Sequence, residues 1–122
     1  MPVLLIIEDD ADSNEATADV LAEEGYSCLC AFDGERGLEL LTEHEPTLVL
    51  LDLQLPGISG GEFLVRKAAM PAVAHIPVVV ITGLSPVPKI HNVIAILRKP
   101  FTTDELLAIV GKLAPMPEPE AA

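Results

Sequence analysis

The sequence predicts an α/β domain with a doubly wound, five-stranded parallel sheet in the order 2-1-3-4-5. Three observations predict it. Five short runs are rich in Val, Ile and Leu: Val3–Ile7, Cys28–Phe32, Leu48–Leu51, Val78–Ile81 and Val93–Leu97. They are mostly continuous rather than alternating, as strands covered on both faces are. Helix-like amphipathic stretches separate them, which is the pattern of parallel sheets. With right-handed crossovers, this gives a single flavodoxin-like domain. In such sheets a ligand sits outside the C-terminal strand ends, at the switch point flanked here by the first and third strands.

The elements follow in order. After the first strand, Asp12 is a candidate helix cap with Glu15 three residues on as its partner; the helix runs to about Glu24 and stops at Gly25. A second helix spans roughly Gly34–Glu43 and ends before Pro46. A third starts near Ser59 and runs to about Met70, just before Pro71. In the last helix, Thr102 and Glu105 read as a capping box, and Leu106, Ile109, Val110 and Leu113 form an apolar stripe. Between the fourth and fifth strands lie only residues 83–92, with Pro86 and Pro88 among them. Proline limits helix continuation, and so short a crossover is near the minimum for parallel strands. The helix expected there is shortened to about one turn or missing. The domain is taken as residues 1–113. The tail 114–122, rich in Pro and Glu, is expected to be disordered, since it cannot bury enough apolar area to offset chain entropy.

Bulk properties narrow the function. At 122 residues the chain fits one domain. No run reaches the roughly 18 apolar residues of a membrane span, and Met1-Pro2-Val3 lacks the basic start of a signal peptide. Both point to a cytoplasmic location with no membrane partner. The net charge of −12 argues against nucleic acid, whose phosphates are bound largely by Lys and Arg. It suits divalent cations or basic partners. Cys28 and Cys30, two apart on one strand, read as buried free thiols rather than a disulfide. The three histidines show no metal-ligand spacing.

The strand ends carry the chemistry. Asp52 closes the third apolar run, where a carboxylate costs desolvation energy unless paired. Glu8 and Asp9 follow the first strand, Thr82 the fourth and Lys99 the fifth. Glu8, Asp9 and Asp52 crowd three carboxylates at one place, and a hard cation such as Mg²⁺ holds such a group together. The backbone carbonyl of Gln54 is a further candidate oxygen ligand. Asp52 can then attack a phosphoryl donor, which is covalent catalysis by a carboxylate. Lys99 brings a mobile ammonium to a phosphoryl oxygen, and the Thr82 hydroxyl serves another. Lys99-Pro100 permits a cis bond that would fix where Lys99 points. Asp10 and Asp12 are read as cap or pre-helix residues rather than ligands.

These segments resemble the receiver domain of two-component response regulators over nearly all of Val3–Leu113. The marks are Leu5-Ile6-Ile7-Glu8-Asp9-Asp10, Leu50-Leu51-Asp52 through Leu55-Pro56-Gly57-Ile58-Ser59-Gly60, Val79-Val80-Ile81-Thr82-Gly83 and Arg98-Lys99-Pro100-Phe101. The resemblance implies that Asp52 is the phospho-acceptor, that Glu8 and Asp9 hold the metal, that Thr82 is the switch hydroxyl and that Lys99 senses the phosphate. It implies a histidine kinase or a histidine phosphotransfer protein as donor, a downstream protein partner and a monomer or weak homodimer. The chain would be no enzyme beyond its own phosphotransfer and dephosphorylation.

The resemblance also exposes departures. The switch aromatic of the family falls near Ile96, which cannot rotate between buried and exposed poses in the same way. The chemistry looks intact while the usual readout surface does not. The rival reading is a non-phosphorylated pseudo-receiver that acts as a protein–protein interaction module. An aspartyl-phosphate phosphatase needs a second acid two residues after the nucleophile, where Gln54 stands. A flavin site is disfavoured because the acidic first loop would repel a cofactor phosphate.

Overall fold

The computed structural model describes residues 2–91 and 93–116. The elements are β1 (Val3–Ile7), α1 (Ala11–Glu23), β2 (Ser27–Ala31), α2 (Gly34–His44), β3 (Leu48–Asp52), α3 (Gly60–Ala68), β4 (Val78–Thr82), β5 (Ala95–Arg98) and α4 (Thr103–Leu113). All strands are parallel, in the order β2-β1-β3-β4-β5, as the apolar runs predict.

Alternation along the strands sends side chains to two separate cores. Leu5, Ile7, Val49, Leu51, Val78 and Val80 pack with Leu40, Leu41, Phe63 and Leu64 of α2 and α3. Leu4, Ile6, Leu48, Leu50, Val79, Ile81 and Leu97 pack with Leu21 of α1 and with Leu106 and Val110 of α4. β1 and β3 are buried along almost their whole length because helices cover both faces.

Each helix start is capped as its local sequence allows. Ser59 accepts from the Glu62 N–H and begins α3; Thr102 and Glu105 form the full reciprocal box of α4. α1 differs from expectation: Asp10, not Asp12, caps it by accepting from the Ser13 N–H at 3.2 Å. The register is set by Asn14, which is fully buried and must point its amide inward. That places Asp12 within the first turn, where a negative charge still favours the helix dipole.

Other boundaries move by a residue or two, and two of the shifts have a packing reason. β5 begins at Ala95 rather than Val93, because Val93 leaves the ladder and packs against the α2–α3 core together with Ile90. At the C-terminus the packed chain extends past Leu113. Ala114 is fully buried, its carbonyl accepts from the Tyr26 hydroxyl at 2.7 Å, and Met116 packs beside it. The remainder of the expected tail, 117–122, lies outside the described residues.

Among the described residues, no helix joins β4 to β5. Residues 83–91 and 93–94 cross as irregular chain, in keeping with the two prolines, and the Ser85–Pro86 peptide is cis. No helix of the described residues is long and apolar enough to cross a membrane.

Candidate phosphoacceptor site

The carboxylates meet because three strand ends meet. Glu8 directly follows β1 and is held by its N–H, which donates to the Ala31 carbonyl at 3.0 Å. Asp52 is the last residue of β3 and pairs in register with Ile81 of β4. Lys99 directly follows β5; its N–H donates to the Thr82 carbonyl at 2.8 Å, which locks the strand end to β4. The Lys99–Pro100 bond is cis. The Lys99 ammonium reaches across the sheet and donates to Glu8 Oε1 at 2.7 Å and to Asp52 Oδ2 at 2.9 Å.

Glu8 and Asp52 are buried while Asp9 is exposed. Carboxylate oxygens from all three lie within 4.8 Å of one another. Gln54, expected to contribute a carbonyl, reaches the site through its backbone N–H, which donates to Asp52 Oδ1 at 2.9 Å. Thr82 is fully buried at the end of the neighbouring strand, and its hydroxyl accepts from the Leu84 N–H at 3.0 Å. Among the described residues no hydrogen bond joins it to the carboxylates. The structure therefore brings Glu8, Asp9, Asp52 and Lys99 into one cluster and sets Thr82 beside it, with its hydroxyl turned toward the following loop.

Crowding splits the two buried acids. Burial, with hydrogen bonding to Asp52, pushes the Glu8 carboxyl up from its ordinary 4.5 to about 7. Burial also works against ionised Asp52, but hydrogen bonds from Glu8, the Gln54 N–H and the Lys99 ammonium outweigh it and hold that carboxyl below its usual range. The same two acids hold the Lys99 ammonium above its usual range despite its own desolvation. Near neutral pH, Asp52 is thus the carboxylate kept ionised, as a nucleophilic oxygen must be.

The donor set fits a hard divalent cation. Three carboxylates at this separation are all-oxygen ligands of the kind Mg²⁺ takes. A single ammonium, Lys99, bonds two of these carboxylates, Glu8 and Asp52. A cavity of about 540 Å³ lies against Glu8, Asp52 and Lys99. Its walls are Ala16, Thr17 and Val20 of α1, and Phe101, Thr103 and Leu106 at the start of α4.

One supporting residue escapes the sequence reading. The Asn14 amide donates to three carbonyls, at 3.4 Å to Ile6, 3.1 Å to Glu8 and 3.0 Å to Ala31. It ties the end of β1 to the end of β2 and so fixes the backbone that carries Glu8. The signal was present: Asn14 stands four residues before Ala18 and seven before Leu21, on the inward stripe of α1, where a polar side chain must find partners.

Comparison with known proteins agrees with this geometry. The chain matches the response regulator receiver domain over residues 4–111. It is 38% identical over 112 residues to the transcriptional regulatory protein DltR of Streptococcus agalactiae, covering 86% of this chain and 48% of that protein. It is 35% identical over 118 residues to the DNA-binding dual master transcriptional regulator RpaA of Synechocystis, covering 93% and 49%. The chain thus spans about half the length of these relatives. Among solved structures, a putative response regulator from Chloroflexus aurantiacus superposes with a TM-score of 0.82 at 28% identity, covering 92% of this chain and 96% of that one. The chemotaxis response regulator CheY4 of Vibrio cholerae gives 0.85 at 20% identity, covering 93% and 98%, and so shares the fold. The RpaA match corrects one expectation, the exclusion of nucleic acid as a partner: a relative of which this chain matches about half binds DNA. A net charge counted over these residues reports only on their own surface and cannot exclude partners for a protein of that kind. With the motif-bearing strand ends, the sheet order and this match in agreement, the chain belongs to the response regulator receiver domain family.

Proposed function

We propose that this receiver takes a phosphoryl group from a phosphohistidine donor onto Asp52 and signals by binding a protein partner. The donor is the phosphohistidine of a histidine kinase or of a histidine phosphotransfer protein. The observation that carries the reading is the shared ammonium: Lys99 lies 2.7 Å from Glu8 and 2.9 Å from Asp52, poised over the nucleophile yet held by a group that a cation would occupy.

An Asp52 carboxylate oxygen attacks phosphorus. The new O–P bond forms as the N–P bond of the phosphoimidazole breaks; the imidazole nitrogen leaves with the electron pair and takes up a proton. Asp52 starts ionised, so no base is needed. Glu8, Asp9 and Asp52, with the Gln54 carbonyl, would hold Mg²⁺, which when bound supplies positive charge against the incoming phosphoryl oxygens. The Lys99 ammonium, shared between Glu8 and Asp52, is the group that would turn to a phosphoryl oxygen. The Thr82 hydroxyl exchanges the Leu84 N–H for the same group, and this couples the phosphorylated state to the loop that begins at Gly83.

Incubation with Mg²⁺ and a small phosphoryl donor, followed by intact mass, tests the reading. One added phosphoryl group is expected for the native chain and none for Asp52→Asn. A second reading, an interaction module that is never phosphorylated, is favoured by the irregular β4–β5 crossing. It would be sustained by an unchanged mass under conditions that label another receiver.

A further inference from the structure

The cavity of about 540 Å³ beside the carboxylates far exceeds the volume of a phosphoryl group. It falls in the range of about 300–1,000 Å³ that small-molecule sites occupy. Its origin lies in α1. Ser13, Ala16, Thr17 and Val20 recur at i, i+3, i+4 and i+7, so they share one side of that helix and line the cavity. Opposite them stand Phe101 and Leu106, at the start of α4. The side chains on this side of α1 are short and leave a gap between the two helices. Ile6, Leu50 and Ile81, from β1, β3 and β4, form its floor. Most of the wall is therefore carbon.

One end of this gap is charged. Glu8 and Asp52 line it together with Lys99, and both acids are more than nine-tenths buried. The Lys99 ammonium donates to Glu8 Oε1 and to Asp52 Oδ2, and the Gln54 N–H occupies Asp52 Oδ1. Glu8 Oε2 accepts from no N–H or hydroxyl among the described residues. Asp9 brings a third carboxylate within 4.8 Å of the other two. Three carboxylates thus share one ammonium, and a buried acceptor without a donor is costly. A divalent cation would serve these oxygens, yet it would leave the apolar wall without a use.

We propose that this cavity binds a small primary amine with an apolar body, in competition with a divalent cation. The ammonium donates to Glu8 Oε2 and to the Asp9 carboxylate, as charge-assisted hydrogen bonds do. The body lies between Ala16 and Val20 on one side and Phe101 and Leu106 on the other, over Ile6 and Ile81. An anionic head would be repelled by the three acids, and an uncharged one would leave their charge excess unanswered. Poorly ordered water against carbon is displaced with a gain in affinity. The consequence is regulatory: an occupied cavity withholds Glu8 and Asp9 from the metal that phosphoryl uptake needs. That consequence rests on the phosphotransfer reading, whereas the binding itself does not.

The test uses the whole chain at pH 8, with phenylbutylamine as the probe. Backbone amide NMR should show saturable shifts at residues 6–9, 13–20 and 101–106. Phenylbutanol and phenylbutyrate keep the body and change the head; each should bind about tenfold more weakly or worse. Butylamine keeps the head and loses the ring, and should also bind about tenfold more weakly or worse. Mg²⁺ at about ten times its own Kd should weaken the amine about tenfold. Ala16→Phe fills the gap from α1. It should weaken the amine about tenfold, while the amide spectrum elsewhere, Mg²⁺ affinity and phosphoryl uptake from a small donor stay native. Absence of saturable shifts, equal binding of the alcohol or of butylamine, indifference to Mg²⁺, or native amine affinity in Ala16→Phe would each overturn the proposal. The titration reads binding even if the native chain takes up no phosphoryl group, so failure of the phosphotransfer reading and failure of this one are told apart.

Discussion

The crossover from β3 to β4 and the crossover from β4 to β5 solve the same problem in different ways. The first carries α3, capped by Ser59, and buries Phe63 and Leu64 against the sheet. The second carries no helix among the described residues and covers β4 with the loop residues Ile90 and Val93. Yet both strands deliver their functional ends to the same place. Lys99, after the poorly covered β5, reaches Glu8 and Asp52 as closely as any hydrogen bond requires. Positioning of the site therefore rests on the ladder and on the Lys99 N–H to Thr82 carbonyl bond, while helical cover is a separate matter that decides which surface remains for partners.

The largest expected effect that sharpens this contrast is across β5 itself. Leu97→Ala empties a covered position and should cost about 2–5 kcal/mol. Ile96→Ala, one residue away on the open face, should cost under about 1 kcal/mol. Urea unfolding of the two variants checks it, and equal losses would mean that both faces are covered. Next comes a pair of glycines. At Gly60 an added Cβ would stand 2.8 Å from Leu53 Cα and 3.0 Å from the Asp52 carbonyl oxygen, both backbone atoms that cannot step aside. Gly60→Ala should destabilise by about 1–3 kcal/mol and slow phosphoryl uptake by displacing Asp52. At Gly83 the nearest atom is Lys99 Cβ at 3.8 Å, an ordinary contact. Gly83→Ala should be neutral or stabilising by up to about 1 kcal/mol, by restricting the unfolded chain.

A smaller effect follows from Glu8. Its folded value of about 7 stands above its ordinary 4.5, so the folded protein binds the extra proton more tightly than the unfolded chain. That contribution is complete below about 4.5 and is lost as pH rises toward 7. Asp52 and Lys99, shifted down and up respectively, stay charged across this window. Metal-free protein should therefore lose thermal stability between pH 5 and pH 7.5, Glu8→Gln should flatten that slope, and Mg²⁺ should restore stability most at the upper end. A slope unchanged in Glu8→Gln would show that another group is responsible. The smallest effect concerns Cys28, whose thiol burial pushes up to about 11. Iodoacetamide at pH 8 should modify it far more slowly in the folded protein than in urea, since the thiolate is the reactive form.

Much of this protein was determined by its sequence alone. Continuous apolar runs imply strands covered on both faces, so the parallel sheet, its order and the meeting of Glu8, Asp9, Asp52 and Lys99 at one edge follow from periodicity and from the handedness of crossovers. Pro86 and Pro88 likewise announce a helix that is shortened or lost, because proline lacks the donor a helix interior needs, and among the described residues none joins β4 to β5. Tertiary structure decided what depends on partners distant in the chain. It made Asp10 the cap of α1, because Asn14 had to bring its amide to carbonyls of both β1 and β2. It buried Ala114, tied to the Tyr26 hydroxyl, and packed Met116 against that core, and it turned Ile94 and Ile96 outward while Leu97 went in. Local sequence fixes periodicity, but which face of an edge strand is covered depends on whether another element arrives to cover it.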